Sequence, residues 1–86
     1  MNKSLLEQSI RNIYATYDLG LAAALVTLNY PLIRLDKANR NKVCFVFKYG
    51  KYLDANVARY WGNDLNLPAR GFFDNQKMLK SRIHSI

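Results

Sequence analysis

The segment DLGLAAALVTL, residues 18–28, is the feature that most limits what this chain can fold into. Leucine and alanine surround the helix axis on every side, and a helix that is apolar all round must be buried all round. Asp18 supplies an N-cap, and Pro31 ends the helix because proline cannot continue it. We therefore predict a central helix that the other elements enclose.

The same segment is too short to cross a membrane. Its apolar run holds about ten residues, whereas a membrane span needs roughly 20. The N-terminus MNKSLLEQSIRN turns polar after two leucines and lacks the long apolar region of a signal peptide. The one cysteine, Cys44, cannot form an internal disulfide, which fits a reducing compartment. We expect a cytoplasmic protein with no membrane association.

Hydrophobic periodicity predicts a single small basic α+β domain over residues 1–86. The predicted fold has two N-terminal helices, a two-stranded antiparallel hairpin and two C-terminal helices, in the order α-α-β-β-α-α. The predicted elements are a helix at residues 4–13, the central helix, a short edge strand at 32–35, a turn at 37–41, a core strand at 43–49, and helices at 52–61 and 68–84.

The predicted hairpin is small for an independent sheet, because two strands alone are marginally stable in water. Either helices cover one of its faces fully, or its edge pairs with a second chain. The second case predicts a homodimer with a continuous four-stranded sheet.

The net charge of +7 at pH 7 is unevenly distributed. Residues 29–50 carry five cations against one carboxylate, and residues 65–86 carry four against one. The other two stretches, 1–28 and 51–64, are neutral. Such asymmetry favours a surface for a polyanion or for an acidic protein.

Two basic segments supply the candidate nucleic-acid-binding residues, since lysine and arginine neutralise phosphates and release counterions. Lysine on an edge strand also blocks aggregation, but one or two charges suffice for that role. In the last helix, cations near the C-terminus also complement the helix dipole. The alternative interpretation there is that the lysines only face solvent and bind no partner. The candidates are Arg34, Lys37, Arg40, Lys42 and Lys48 in the hairpin, and Arg70, Lys77 and Lys80 in the last helix.

The last helix separates an apolar side from a cationic side on a helical wheel. The apolar side holds Phe72, Leu79, Ile83 and Ile86, and the cationic side holds Arg70, Lys77, Lys80 and His84. Phe73 falls on the cationic side, where an exposed ring would anchor a partner. Most other aromatic residues lie at core-facing spacing. Tyr49 and Tyr52, which flank Gly50 near lysines, are the ones that we expect to be exposed.

No catalytic, metal or cofactor site is predicted. Cys44 lies in mid-strand and is expected to be a small buried apolar residue, and His84 has no positioned third group beside it. One histidine and one cysteine are too few for a metal site. The six carboxylates are scattered, and no two share a helical face at the spacing of an acid–base pair. We therefore predict a protein without enzymatic activity or cofactor.

Four stretches together resemble a known family: YDLGLAAALVTLNYPLIRLD, KVCFVF, YWGNDLNLPARGFF and KMLKSRI. The chain is similar, over residues 14–83, to a small uncharacterised domain family, a domain of unknown function, met in phages, plasmids and prokaryotic genomes. The resemblance implies no reaction and no site residues. It does imply a viral or mobile-element origin, where small basic proteins often bind nucleic acid or block a host protein.

Two functions remain open at this point. The first is a non-enzymatic DNA- or RNA-binding protein that contacts phosphates through the basic hairpin and the last helix. The second is a protein-interaction module or inhibitor that docks on an acidic host protein through the same cations. A third reading is that the charge only keeps a small structural domain soluble.

Overall fold

The computed structural model describes residues 12–39 and 41–85. Within them, three strands and three helices follow in the order β-α-β-β-α-α. The elements are β1 (Ile13–Thr16), α1 (Leu19–Thr27), β2 (Leu32–Asn39), β3 (Lys42–Lys48), α2 (Leu53–Trp61) and α3 (Ala69–Ile83). The α+β class is confirmed, whereas the predicted order α-α-β-β-α-α is wrong.

Strand β3 forms the centre of an antiparallel sheet with the order β1-β3-β2. Side chains alternate along a strand, so Phe45 and Phe47 point toward the helices and Val46 points to the opposite face. Phe45 and Phe47 are fully buried. Tyr14 of β1 and Leu32 of β2 lie opposite Phe47 on its two sides. One face of the sheet is therefore apolar across all three strands.

Strand β1 corrects the predicted N-terminal part of the fold. The predicted helix at 4–13 lies mostly outside the described residues, but Ile13 is in a strand and not in a helix. The segment IYAT is rich in β-branched and aromatic side chains, which favour strands. Its pairing with β3 also satisfies its backbone, from Ile13 opposite Lys48 to Thr16 opposite Phe45. The apolar spacing of residues 4–13 led to the wrong prediction because a short apolar stretch can fit both the helical period and the strand period.

The third strand removes the argument for a sheet shared between two chains. Strand β1 fills one edge of β3 from within the same chain, so the predicted two-stranded sheet is wrong. Strand β2 occupies the opposite edge, as its start after Pro31 predicted. Its register irregularities and exposed charged side chains hinder pairing with a further strand. The homodimer stays a prediction without this support.

Strand β2 continues past its predicted end at residue 35 and includes Lys37, which was assigned to the turn. The carboxylate of Asp36 accepts a hydrogen bond from the backbone N–H of Ala38 at 3.0 Å. The side-chain oxygen of Asn39 accepts one from the N–H of Asn41 at 2.9 Å. These turn-forming side chains satisfy backbone donors beside the irregular register, so the chain reverses only after Asn39.

Helix α1 is the predicted central helix. The Asp18 carboxylate accepts a hydrogen bond from the N–H of Leu21 at 2.8 Å, which confirms the N-cap. The five residues from Leu21 to Leu25 are all buried, so the helix is enclosed on every side. Asn29 has a φ of 72° and turns the chain out of the helix before Pro31.

Helix α3 packs on α1 and completes the core. Leu79 is fully buried, and Phe72 and Ile83 pack on the same cluster, as the wheel predicted. Asn75 donates a side-chain hydrogen bond to the Thr27 hydroxyl at 2.9 Å. The contact between the two helices therefore combines apolar packing with one fixed polar pair.

Helix α2 is attached to the start of α1 through Tyr60. A Cβ atom added to Gly20 would overlap the Tyr60 hydroxyl, so glycine permits this close approach. Burial raises the pKa of Tyr60 above its ordinary value of 10.0, and the charge of Asp18 and a hydrogen bond to it raise it further. Trp61, one of the aromatic residues at core-facing spacing in the sequence, is instead 62% exposed and packs edge-on against Tyr60.

We expect the protein to lose stability as the pH rises above about 10. Burial, and then the charge of Asp54, also raises the pKa of Tyr14. Because Tyr14 and Tyr60 hold their protons more tightly in the folded state, this stabilisation is complete below the unfolded value of 10.0. It is lost as the pH passes through the raised values. Thermal unfolding from about pH 8 to 11 measures this loss, and Tyr60→Phe should make it smaller. An identical pH dependence in Tyr60→Phe would contradict the assignment.

Candidate nucleic-acid interface

Helix α3 carries a cationic side next to its core side. Pro68 is the N-cap, with a φ of −64°, and the helix runs over Ala69–Ile83, close to the predicted range. Helical spacing places five exposed side chains within about 80° of arc on the solvent side. We call this set the basic face: Arg70, Phe73, Lys77, Lys80 and His84.

Phe73 lies in the middle of the basic face and is 56% exposed. The Nζ atom of Lys77 lies 5.3 Å from the centre of its ring, within the range of a cation–π contact. The two residues are four apart, so the helix itself brings them together. An aromatic ring and an ammonium group are thus held side by side at the surface.

Acidic side chains neutralise little of the basic face. Arg70 lies 3.4 Å from the Asp74 carboxylate, in a pair whose side chains are both largely exposed. A surface pair of this kind contributes about 0–0.5 kcal/mol. The other lysines and arginines in the described part of the chain have no carboxylate within 4.0 Å. Lys77 and Lys80 are therefore not paired with a carboxylate of the described residues and are accessible to an anionic partner.

The two basic segments of the sequence meet at the C-terminal end of α3. Lys37 in β2 donates from Nζ to the backbone carbonyl of Arg82 at 2.7 Å and to that of Ser85 at 2.8 Å. Carbonyls at a helix C-terminus lack partners within the helix and carry the negative end of its dipole. Lys37 therefore caps α3 and holds the hairpin against its last turn, so this predicted phosphate ligand already has partners within the protein.

We expect Lys37→Met to lower the free energy of unfolding by about 1 kcal/mol, because the end of α3 loses a charged donor. In a domain of this size the melting temperature should fall by about 4–8 °C. Lys48→Met is the matched control, since that exposed side chain makes no hydrogen bond within the described residues. Thermal unfolding compares the two variants, and equal melting temperatures would show that the cap contributes nothing.

An exposed tyrosine and a lysine lie between two grooves near the hairpin turn. Tyr17 is 62% exposed, and the Nζ atom of Lys42 lies 5.4 Å from the centre of its ring. A groove of about 340 Å³ extends from this pair to Ile83 in the last turn of α3. A smaller one, about 130 Å³, extends to Asn39. We call Tyr17, Lys37 and Lys42 the hairpin end, and it adjoins the end of α3.

Four other candidates lie elsewhere. The register places Arg34 and Lys48 on the sheet face that points away from the helices. Lys48 is also about 20 Å from Lys42 along β3. Arg70 begins the basic face, more than 15 Å along α3 from the hairpin end by the ~1.5 Å rise per residue. Arg40 lies outside the described residues. Only part of the predicted set is therefore brought together.

Two residues of this region were missing from the predicted set. Arg82 is exposed in the last turn of α3, where its carbonyl meets Lys37. Tyr17 could have been found by assigning a strand to residues 13–16, because alternation then puts Tyr14 and Thr16 on the core face and position 17 off it. No local pattern pairs Tyr17 with Lys42, which is distant in sequence.

The two tyrosines that flank Gly50 differ in their exposure to solvent. Tyr52 is 70% exposed, as expected, and the Nζ atom of Lys51 lies 5.5 Å from the centre of its ring. Tyr49 was also expected to be exposed, but it is half-buried and its hydroxyl donates to the Asp54 carboxylate. Both lie beyond the end of β3 that is opposite the hairpin end.

Metal-binding residue types do not cluster in the part of the chain that the structure describes. No three histidine, cysteine, aspartate or glutamate residues there lie close enough to hold an ion. Cys44, expected to be buried, is half-buried and lines the smaller groove. Across residues 12–39 and 41–85, no helix has both the length and the apolar character to cross a membrane.

Comparison with known proteins identifies a family. Residues 11–85 match the family model described as a domain of unknown function, DUF5659. The resemblance to an uncharacterised domain is thereby confirmed, and the match covers nearly the whole chain. No curated protein and no solved structure matches the chain. The family description names no reaction, ligand or site residue, so the geometry is the basis for any function.

Proposed function

We propose that this chain, which belongs to the DUF5659 family, is a non-enzymatic protein that binds DNA or RNA. The contact surface is the basic face of α3 together with the adjoining hairpin end. The observation that carries the proposal is the Lys37 cap, since it joins the two basic segments at one place. Around that junction, Lys42, Lys77 and Lys80 are exposed, and none has a carboxylate within 4.0 Å in the described part of the chain.

Phosphates are the groups that this surface suits best. Each lysine that replaces condensed counterions on a nucleic acid adds affinity that falls with rising salt. With Lys42, Lys77 and Lys80 as the main contacts, we expect a slope of log affinity against log salt of about −3. Lys37 uses its charge mainly on α3, and Arg34 and Lys48 add long-range attraction from another face.

Salt dependence tests the proposal directly. Fluorescence anisotropy with a labelled oligonucleotide should show a loss of affinity of about 40-fold between about 50 mM and 200 mM salt. An absence of binding at low salt, or an affinity that salt leaves unchanged, would reject the proposal. Action in the cytoplasm and an origin in a phage or other mobile element complete the proposal, and both remain predictions.

An acidic protein is the second candidate partner for the same surface. The supporting observation is the exposure of Phe73, because aromatic side chains are frequent anchors at protein interfaces. Pull-down from a lysate before and after nuclease treatment separates the two. A partner that remains after nuclease treatment favours the protein, and one that is lost favours nucleic acid.

A further inference from the structure

Aromatic rings beside lysines recur on the proposed interface. Tyr17 at the hairpin end is 62% exposed and Phe73 on the basic face is 56% exposed. Each has a lysine Nζ atom within 5.4 Å of its ring centre, from Lys42 and Lys77 respectively. Large aromatic side chains are usually buried in a domain this small, because they contribute most to its core. Because Tyr17 and Phe73, unlike Tyr52, lie on the surface that carries Lys42, Lys77 and Lys80, their exposure there points to a ligand that uses both rings and cations.

Unpaired nucleotides offer that combination of groups. A free base stacks on an aromatic ring, while the phosphate next to it lies within reach of a neighbouring cation. In a duplex the base faces are already stacked on each other, so an aromatic ring in a row of lysines has no equivalent partner there. We infer that the surface binds single-stranded nucleic acid, with Tyr17 and Phe73 as stacking platforms. The inference rests on the proposed function.

The length of α3 between Phe73 and the groove beside Tyr17 sets the length of strand that is required to reach both rings. Ile83, which lines the groove next to Tyr17, is ten residues beyond Phe73, or about 15 Å along α3. Stacked bases are about 3.4 Å apart along one strand. A strand that engages both rings therefore needs about five or six nucleotides, and shorter oligonucleotides should bind much more weakly.

Tyr52 provides a matched control for the stacking residues. It is 70% exposed and has the Lys51 Nζ atom 5.5 Å from its ring centre. It lies beyond the other end of β3, and that end of the strand is about 20 Å from Lys42. Leucine at all three positions keeps an apolar side chain but removes the flat ring, so it separates base stacking from simple apolar contact.

The test uses anisotropy with a labelled ten-nucleotide thymidine strand and a labelled duplex. We expect the single strand to bind more tightly, and the double variant Tyr17→Leu/Phe73→Leu to weaken it by at least about tenfold. Duplex affinity, and single-strand affinity in Tyr52→Leu, should change by less than about twofold.

Three other results of this experiment would contradict the inference. Equal binding of strand and duplex, with no effect of the double variant, would overturn the inference and leave the proposed function intact. Equal weakening of both ligands in the double variant would also overturn it, because the rings would then not distinguish free bases. An absence of binding to either ligand by the unchanged protein would reject the proposed function and this inference with it.

Discussion

Replacing Phe47 by alanine is expected to remove about 3–5 kcal/mol from the free energy of unfolding, the largest effect that we predict for one side chain. Phe47 is 0% exposed at the centre of β3, where β1 and β2 pack against it from both sides. The loss combines the missing transfer free energy with the cavity left behind. A domain of this length has about 4–13 kcal/mol in total, so the variant should lose roughly a quarter or more of its stability.

Phe73→Ala is the matched control, since it deletes the same ring from a site that is 56% exposed. Its free energy of unfolding should change by less than about 0.5 kcal/mol. Urea denaturation followed by circular dichroism measures both variants. Similar midpoints for the two would mean that the core is not centred on β3.

The triple variant Lys42→Gln/Lys77→Gln/Lys80→Gln is expected to lower nucleic-acid affinity by at least about 100-fold at low salt. Its three lysines are exposed on the hairpin end and the basic face, with no carboxylate within 4.0 Å in the described part of the chain. Losing three phosphate contacts should also bring the salt slope close to zero, because each contact adds about one to it.

A second triple variant, Arg34→Gln/Lys48→Gln/Arg59→Gln, controls for net charge. It removes the same number of cations, but two lie on the outer sheet face and Arg59 lies in the last turn of α2. At moderate salt these charges are screened over about 10 Å, so affinity should fall by only a few fold. Equal losses in the two triple variants would mean that net charge alone governs binding and that no localised interface exists.

Parts of the fold were predictable because a local pattern was sufficient for them. Helix α1 is apolar on every side, and that pattern has one physical solution, which is burial. In strand β3, phenylalanines alternate with smaller residues, so the face that enters the core could be assigned from the alternation of side chains alone. In α3 the wheel placed Leu79 inside and Phe73 outside, and both assignments are confirmed.

The errors occurred where a distant contact decided the outcome. Ile13 fits a helical spacing and a strand equally well, and pairing with Lys48 in β3 selects the strand. Trp61 continues an apolar stripe in sequence, but α2 ends there and leaves its ring largely in solvent. From the sequence, Lys37 was predicted to lie in a turn and to bind phosphate, but the backbone carbonyls at the end of α3 accept its hydrogen bonds and make it a helix cap.

The sequence by itself determined the central helix, the core strand, the side of α3 that faces solvent and the excess of positive charge. These depend on side-chain periodicity and composition, which are local properties of the chain. Only the tertiary structure decided that β1 completes the sheet, that Lys37 joins the hairpin to α3, and that Tyr17 meets Lys42. Such contacts depend on which unsatisfied backbone groups and exposed rings come together in space, and residues far apart in sequence carry no local signal of that.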